Sequence, residues 1–402
     1  MNADKLKASV IVEVDARRNQ LWELSRRIHA NPELGFKEFK AAEWLTGYLE
    51  KNGFSSEQGI CELPTAFRAS YGQGSPAIAL LAEYDALPDL GHACGHNLIG
   101  VAAVGAAVAA KSAIDRFGGS VVVLGTPAEE LYGGKAIMAE RSIFDNLDAA
   151  MITHPGTHDA ATTEALACHS LQVEFFGKAA HAASRPQAGI NALEAMIQSY
   201  NAINSLRQHI HPRARVHGII TDGGQAANVV PAHSAGIFLV RAADDGYLEV
   251  LKQRVLSCCA GAATATGARL EYKWDEVRYE PLLNNMTLAR AFTRNMRALG
   301  RKMKLYDLDK SFGSTDFGNV SQLVPGIHPS VAIAPPRDIV VHSPQFAAAA
   351  ISESAMKGLL DAAKALAMTV VDLVADPGLM AKVKAEFFKS EPAKLSKTAG
   401  RK

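Results

Sequence analysis

Two continuous apolar runs flank one long alanine-rich segment, and this arrangement limits the possible folds more than any other feature. The runs are "AIALLAEYD" (77–85) and "SVVVLGTPAEE" (120–130), and both end in carboxylates. Strands that are apolar throughout are buried on both faces, which is typical of parallel sheets covered by helices. Ligands of such sheets bind beyond the carboxyl ends of the strands. The expected site therefore lies near Glu83, Asp85, Glu129 and Glu130.

The middle of the chain predicts a second domain. Residues 168–280 give the order strand, helix, strand, strand, helix, strand, which is the ferredoxin-like βαββαβ arrangement. Helical and strand patterns typical of the first domain then resume, including one long helix over residues 345–373. We predict a discontinuous α/β catalytic domain (1–167 and 281–390) with a mostly parallel, doubly covered sheet, and an inserted domain at 168–280.

The two ends of the chain carry simpler patterns. Residues 4–29 repeat apolar positions at helical spacing, and this helix should stop before Pro32, because proline disfavours helix in the residue preceding it. Residues 391–402 have few apolar side chains and several lysines. We expect this segment to be a flexible tail.

Composition indicates a small-molecule partner. The 402 residues include 42 basic and 41 acidic side chains, a net charge of +1, so the electrostatic footprint of a nucleic-acid or membrane-surface binder is missing. Five cysteines, an odd number, argue against a disulfide framework and for a reducing compartment. The first residues lack the apolar core of a signal peptide. A cytoplasmic protein that binds neither nucleic acid nor membrane is expected.

Several common catalytic motifs are missing from the sequence. No G-x-G-x-x-G opens a helix, "GGKA" (133–136) is an incomplete P-loop, and no G-x-S-x-G or paired C-x-x-C occurs. Nucleotide binding, serine hydrolysis and a structural zinc finger thus lose their usual signatures.

A scattered group of metal-type side chains remains, at strand ends and in loops. Each histidine alone is more simply explained as a structural residue. Together, the thiol, imidazoles and carboxylates suit a borderline-soft divalent cation with open coordination positions, while one of two adjacent glutamates acts as a base. The group comprises Cys94, His96, Glu129, Glu130, His154 and His342.

These motifs resemble the aminoacylase/carboxypeptidase G family of metallopeptidases over residues 20–370. The similarity is greatest to its amidohydrolase branch, which includes auxin-conjugate, hippurate and aminobenzoyl-glutamate hydrolases and β-alanyl-lysine-type dipeptidases. The ordered motifs that carry it are "NPELGF", "EYDALP", "GHACGHN", "PAEE", "THPG", "GKAAHAASRPQAGINALEA", "NVVP", "LVRA", "GSTDFGNVS" and "VHSP".

The resemblance implies specific roles in the catalytic domain. Glu129 matches the general base, and Asp85 matches the aspartate that orients the metal centre. One or two divalent ions, usually zinc, manganese or cobalt, are implied. Their ligands would be Cys94, His96, Glu130, His154 and His342.

The resemblance also implies a lid or dimerisation role for the inserted domain, and hence a homodimer. His181 matches the residue that stabilises the oxyanion, and Asn228 and Arg241 match residues that hold the substrate carboxylate. Gly313 and Ser314 lie in the loop that matches a substrate pocket. The alternatives are a surface histidine for His181 and an ordinary salt bridge for Arg241.

Two positions depart from the family pattern. Asn97 stands where the branch commonly has aspartate, which removes a negative charge near the metal. Glu83 stands where other branches have a metal-binding histidine, and its part in binding a second ion stays open.

The sequence therefore predicts a metal-dependent amidohydrolase or peptidase that hydrolyses the amide bond of N-acyl amino acids with metal-activated water. A dipeptidase is the first alternative, and a non-catalytic, metal-stabilised peptide-binding protein is the second. Glu129 and His181 favour an enzyme, because a binding protein needs neither a base nor an oxyanion donor.

Overall fold

The computed structural model describes residues 2–306, 313–335 and 339–389. The predicted tail at 391–402 lies outside these residues. The described strands are β1 (Ser55–Gln58), β2 (Phe67–Gln73), β3 (Ala77–Ala82), β4 (Gly119–Gly125), β5 (Ala149–Met151), β6 (His154–Gly156), β7 (Ala167–Phe176), β8 (Arg215–Asp222), β9 (His233–Ala242), β10 (Arg269–Trp274), β11 (Gly326–Ile327) and β12 (Ser330–Ala332).

Helices cover a large share of the described residues, and two short 3-10 helices (Ile60–Glu62 and Pro186–Ala188) accompany them. The α-helices are α1 (Ala3–Ala16), α2 (Arg18–His29), α3 (Phe39–Lys51), α4 (His96–Phe117), α5 (Glu129–Tyr132), α6 (Gly134–Glu140), α7 (Ala192–Arg207), α8 (Asp245–Thr266), α9 (Met286–Ala298), α10 (Phe317–Ser321), α11 (Pro344–Ala349), α12 (Glu353–Ala375) and α13 (Pro377–Lys389).

The described chain forms two compact units. Unit 2 contains Ala165–Pro281 and residues 313–318, and unit 1 contains the other described residues. Unit 1 holds a six-stranded sheet in the order β1-β2-β4-β3-β5-β11. Strand β3 runs parallel to β4 and β5, and β11 runs parallel to β5, whereas β1 and β2 form an antiparallel edge. The predicted α/β fold with a mostly parallel sheet is confirmed.

The alanine-rich helix α4 lies in the core of unit 1. It packs on β3 and β4 and against α12, and small side chains permit this close approach. Among the described helices it alone is long and apolar enough to cross a membrane, yet 89% of its most apolar window is buried within the protein. This helix is therefore accounted for as a core element.

Unit 2 has the βαββαβ order that the sequence predicts. Its four strands form an antiparallel sheet in the order β10-β7-β9-β8. Helices α7 and α8 pack on this sheet and on each other. Apolar side chains on alternate positions of the strands, such as Leu171, Val173 and Phe175 on β7, are buried in its core. The predicted ferredoxin-like arrangement is confirmed.

Two helices predicted as continuous are interrupted. The N-terminal run breaks at Arg17, whose backbone (φ −96°, ψ 4°) ends α1 and precedes α2. The run predicted at 345–373 is divided into α11 and α12, and the side chain of Ser352 caps α12 by accepting from the Ala355 amide. Apolar spacing alone conceals both breaks, because it continues across them.

Candidate metal centre

The predicted metal-type residues of unit 1 are brought together beyond the carboxyl ends of the sheet strands. Glu83 and Asp85 follow β3, Glu129 begins α5 after β4, and His154 begins β6 after β5. In the part of the chain that the structure describes, three groups of side chains each have ligand atoms that all lie within 4.8 Å of one another. They are Cys94, His96 and His154; Cys94, Glu130 and His342; and His96, Glu129 and Glu130.

A glycine allows Cys94 and His96 to flank the start of α4. Gly95 has φ +79°, a left-handed conformation that glycine adopts without steric cost. A Cβ at this position would lie 2.5 Å from Cγ of Pro155. The backbone around Gly95 therefore packs tightly beside Pro155, next to His154 in the chain, and holds both ligand-type side chains near that imidazole.

Hydrogen bonds fix which nitrogen of His96 faces the cluster. Its Nδ1 lies 2.8 Å from Asp85 Oδ1, so this nitrogen donates to the carboxylate. Its Nε2 is fully buried and makes no hydrogen bond within the described residues. Burial opposes protonation, but Asp85 and Cys94 raise the pKa of His96 well above its usual value. The Nε2 atom is thus aimed at the place where a cation would neutralise the surrounding carboxylates.

His154 is oriented in a similar way. Its Nδ1 donates to the Pro155 carbonyl at 2.7 Å, and its Nε2 lies 3.3 Å from Cys94 Sγ. Burial lowers the pKa of His154 and raises that of Cys94 well above its usual value. The imidazole is therefore neutral, the form that binds metals, whereas the thiol loses its proton only when a cation stabilises the thiolate.

Glu130 and His342 form the open side of the cluster. His342 Nε2 lies 3.4 Å from Glu130 Oε1, and the His342 side chain is about half exposed. The His342 amide donates to the Ala93 carbonyl at 2.9 Å, and its backbone has φ +65°. Burial alone would raise the pKa of Glu130, but His342 and His96 overcome this and lower it to about 2.

A left-handed residue immediately precedes the two adjacent glutamates. Ala128 has φ +60° and ψ +39° immediately before α5. The Glu130 amide donates to Asp85 Oδ2 at 3.0 Å, so one aspartate contacts both the His96 ring and the "PAEE" turn. Side chains at consecutive helix positions do not face each other, so one of the two carboxylates can bind a metal while the other acts as a base.

Glu83 is paired with a buried lysine. Lys135 Nζ lies 2.6 Å from Glu83 Oε1, and both side chains are almost fully buried. Burial would raise the pKa of Glu83, but Lys135 and His96 outweigh it and lower the pKa to about 2. The other Glu83 oxygen lies 3.6 Å from His96 Nε2. Lys135 therefore supplies a fixed positive charge at the edge of the cluster.

Asn97 acts as a hydrogen-bond donor at the start of α4. Its amide nitrogen donates to Ser25 Oγ at 2.9 Å and to the Ala350 carbonyl at 3.4 Å. An ionised aspartate could accept from the Ser25 hydroxyl, but it could not bond to the Ala350 carbonyl, because it has no hydrogen to donate. Asn97, which departs from the family pattern, therefore links α4 to α2 and to Ala350, the residue that follows α11.

The donor set fits a divalent metal. A thiol, three imidazoles and carboxylates converge, and the Nε2 of His96 and Oε1 of Glu130 are buried without a hydrogen bond in the described structure. Buried polar atoms normally have partners, and a cation would supply one for both atoms. This mixture of nitrogen, sulfur and oxygen ligands suits zinc and its neighbours among the transition metals.

The remaining predicted residues lie in unit 2, in two pairs. The Ala182 amide donates to the Asn228 carbonyl at 2.9 Å, next to His181. His181 Nδ1 accepts from the amides of Ala183 and Ser184, both at 3.2 Å. Its Nε2 therefore carries the proton and is a donor.

Arg241 belongs to the second pair. Its guanidinium donates to Ser314 Oγ at 3.2 Å, and the carbonyl of the preceding Gly313 accepts from the Leu166 amide at 2.8 Å. On the sheet, Arg241 lies opposite Cys168. The predicted pocket loop is therefore attached to the strand that carries the arginine.

Two residues of this region were missed by sequence reasoning. Lys135 was seen only as part of an incomplete P-loop, and Glu38 lies in the charged stretch "GFKEFK" with no motif around it. Both side chains are fully buried. For Lys135, the position of a lysine beside two glycines in an apolar stretch could have indicated burial. No sequence pattern indicates that Glu38 is buried.

The fold and the cluster define a metallohydrolase-type α/β protein, and comparison with known proteins identifies the family. The model of peptidase family M20/M25/M40 matches residues 79–368. The chain belongs to this family. It is a metal-dependent hydrolase of C–N amide or peptide bonds that uses one or two divalent ions, as the sequence predicted.

Individual relatives are similar over nearly the full chain. The Xaa-Arg dipeptidase of Mus musculus is 39% identical over 95% of this chain and 92% of its own length. A p-aminobenzoyl-glutamate hydrolase chain of Escherichia coli (strain K12) is 32% identical, covering 91% and 92%. A dinuclear metal-binding M20 peptidase of Bacillus subtilis has a similar fold, with a TM-score of 0.71, 21% identity and coverage of 90% and 99%.

Proposed function

We propose that the protein is a dipeptidase whose substrates carry a free carboxylate on the amine-side residue, with arginine or another basic residue preferred there. The family establishes amide or peptide hydrolysis, and the 39% identity to an Xaa-Arg dipeptidase supports the basic residue. The observation that carries the proposal is the convergence of Cys94, His96, Glu130, His154 and His342 around buried atoms without hydrogen bonds.

In this proposal those five residues hold the metal. A divalent ion held there would polarise the scissile carbonyl and lower the pKa of a water molecule from 15.7 toward about 7. Asp85 keeps the proton of His96 on Nδ1, and the Pro155 carbonyl does the same for His154. Each ring therefore turns Nε2 toward the cluster.

Glu129 is the proposed general base. It precedes Glu130 directly, and its carboxylate oxygen lies within 4.8 Å of the ligand atoms of His96 and Glu130. From this position Glu129 takes a proton from the attacking water and later gives it to the leaving amine nitrogen. Proton transfer by a positioned side chain contributes typically about 10²–10⁴ in rate.

Unit 2 supplies the proposed recognition residues. His181 Nε2–H is a donor suited to the oxyanion, because Nδ1 already accepts two amides. Arg241 offers a planar fork to the substrate carboxylate, with Asn228 as a further donor. Gly313 and Ser314 form the loop beside Arg241. We assign unit 1 to catalysis and unit 2 to the inserted lid or dimerisation domain predicted at 168–280.

A second candidate function is hydrolysis of acyl-glutamate conjugates. The similarity to the p-aminobenzoyl-glutamate hydrolase chain supports it. In both cases we propose that the protein is cytoplasmic and forms a homodimer. Sedimentation analysis would test the homodimer.

Initial rates on a matched substrate panel distinguish the candidates. Metal-stripped protein is resupplied with Zn²⁺, Mn²⁺ or Co²⁺ and given β-alanyl-arginine, β-alanyl-glutamate, N-acetyl-arginine and p-aminobenzoyl-glutamate. We expect kcat/KM to be highest for β-alanyl-arginine. Faster cleavage of the two glutamate compounds would favour the second candidate, and metal binding without turnover of any amide would contradict both.

A further inference from the structure

Glu38 is a buried carboxyl group that the proposed chemistry does not use. It stands at the N-cap position of α3, but its side chain does not cap that helix. Glu33 does so instead, accepting from the amides of Lys40 and Ala41 at 3.2 and 3.0 Å. The Glu38 side chain therefore does not cap α3, and it points elsewhere.

Both oxygens of Glu38 accept hydrogen bonds from distant parts of unit 1. Oε2 accepts from Thr65 Oγ1 at 2.8 Å, and Oε1 accepts from the Ala128 amide at 2.8 Å. Ala128 is fully buried and adopts the left-handed conformation that precedes Glu129. For a non-glycine residue this conformation is unfavourable unless the surroundings hold it.

The contacts around Ala128 show how tightly the turn is held. A Cβ at Gly35 would lie 2.8 Å from the Ala128 Cβ, so the segment that carries Glu38 packs directly on the turn. Two residues further along, the Glu130 amide donates to Asp85. The turn is thus fixed at its start by Glu38 and at its end by Asp85.

We propose that Glu38 is a positioning residue, which fixes the left-handed turn at Ala128 and thereby holds Glu129 and Glu130 in place at the metal-type cluster. This inference rests on the proposed roles of those two glutamates. Hydrogen bonding rather than charge carries the effect. Burial and the nearby Asp85 raise the pKa of Glu38 to about 7, so the site does not favour an ionised group.

Three variants test the inference: Glu38→Ala, Glu38→Gln and, as a control, Asn295→Ala. Asn295 is also buried in unit 1 and donates to Thr369 and Asp372, away from the turn. The readouts are the dissociation constant for Zn²⁺, measured with a competing chelator, and kcat and KM on the best substrate of the panel.

We expect Glu38→Ala to weaken Zn²⁺ binding and to lower kcat by about 10–100-fold each, the usual effect of removing a residue that orients a ligand. KM should stay near the parent value. Glu38→Gln keeps an acceptor for the Ala128 amide and should restore both quantities. Asn295→Ala should lower the melting temperature and leave Zn²⁺ affinity unchanged.

The inference is overturned if Glu38→Ala retains parent affinity and kcat, if Glu38→Gln is as defective as Glu38→Ala, or if Asn295→Ala weakens Zn²⁺ binding equally. Should Glu38→Ala fail to fold, Glu38→Asp replaces it, because the shorter side chain cannot reach both Thr65 and Ala128. Zn²⁺ affinity needs no substrate, so a wrong substrate assignment cannot be confused with failure of this inference.

Discussion

His96, His154 and His181 each have one ring nitrogen already engaged by a neighbouring group. His96 uses Nδ1 on Asp85, His154 uses Nδ1 on the Pro155 carbonyl, and His181 uses Nδ1 to accept two amides. The remaining Nε2 atoms therefore have opposite characters. That of His154 offers a lone pair, that of His96 would offer one once a bound cation displaces its proton, and that of His181 offers a proton, which suits an oxyanion.

The buried pair of Lys135 and Glu83 leads to a prediction at the residue scale. Lys135→Met removes the positive charge and leaves the Glu83 carboxylate buried without it. Breaking one side of a buried ion pair costs about 3–5 kcal/mol, so the metal-free variant should be less stable by that amount. Urea unfolding in the presence of a chelator measures the difference.

The double variant Lys135→Met with Glu83→Gln provides the control. It removes both charges and should be more stable than Lys135→Met alone, since no uncompensated carboxylate remains. Equal stability of the single variant and the parent would show that the pair does not serve to neutralise Glu83.

Residue types at strand ends predicted which metal-type side chains lie close together in the structure, because metal chemistry restricts which side chains can serve as ligands. Cys94, His96, Glu130, His154 and His342 carry that information in their own chemistry. Glu38 does not, because its proposed role depends on the backbone conformation of Ala128, 90 residues away in the chain. A contact between a side chain and a remote amide leaves no periodic pattern for sequence reasoning to detect.

At the scale of secondary structure, the buried elements were predictable and the edges were not. Strands β3 and β4 and helix α4 are apolar along their whole length, so their burial follows from composition. Strand β1 reads "SSEQ" and is largely exposed, and its pairing with β2 depends on a neighbour rather than on its own side chains. Likewise, α1 ends at the cap residue Arg17 and α12 begins after the cap residue Ser352. Apolar spacing does not predict either boundary.

A histidine connects three strands of unit 2 and gives a pH prediction. His233 on β9 lies 2.7 Å from Asp222 on β8 and 2.9 Å from Glu174 on β7. Hydrogen bonds to Asp222 and Glu174 raise the pKa of His233. Because the pKa of His233 is higher in the folded than in the unfolded protein, its contribution to stability is fully present below the unfolded pKa of about 6.5. This contribution is lost as the pH rises through the folded pKa.

An NMR titration of His233 should therefore give a pKa above that of an unfolded peptide, and Asp222→Asn should lower it. His169, whose pKa is lowered by burial, serves as the internal reference and should not respond to Asp222→Asn. A His233 pKa that is unchanged by the substitution would contradict the assigned pairing.

At the scale of the whole molecule, the fold explains why a scattered sequence motif becomes one centre. Parallel strands β3, β4 and β5 end at the same edge of the sheet, so residues that follow each strand meet there. The α4 N-terminus and the segment before α11 then add Cys94, His96 and His342. The ferredoxin-like unit 2 interrupts the chain without interrupting this sheet.

In the proposed mechanism, Glu129 moves the proton in a hydrolysis that depends on the bound metal. The most direct measurement compares parent protein and Glu129→Gln for Zn²⁺ content and for kcat on the best panel substrate, before and after chelation. We predict equal Zn²⁺ content, a kcat lower by about 10²–10⁴ in the variant, and no turnover by either protein after chelation. Parent-level turnover by Glu129→Gln, or turnover that survives metal removal, would contradict the account.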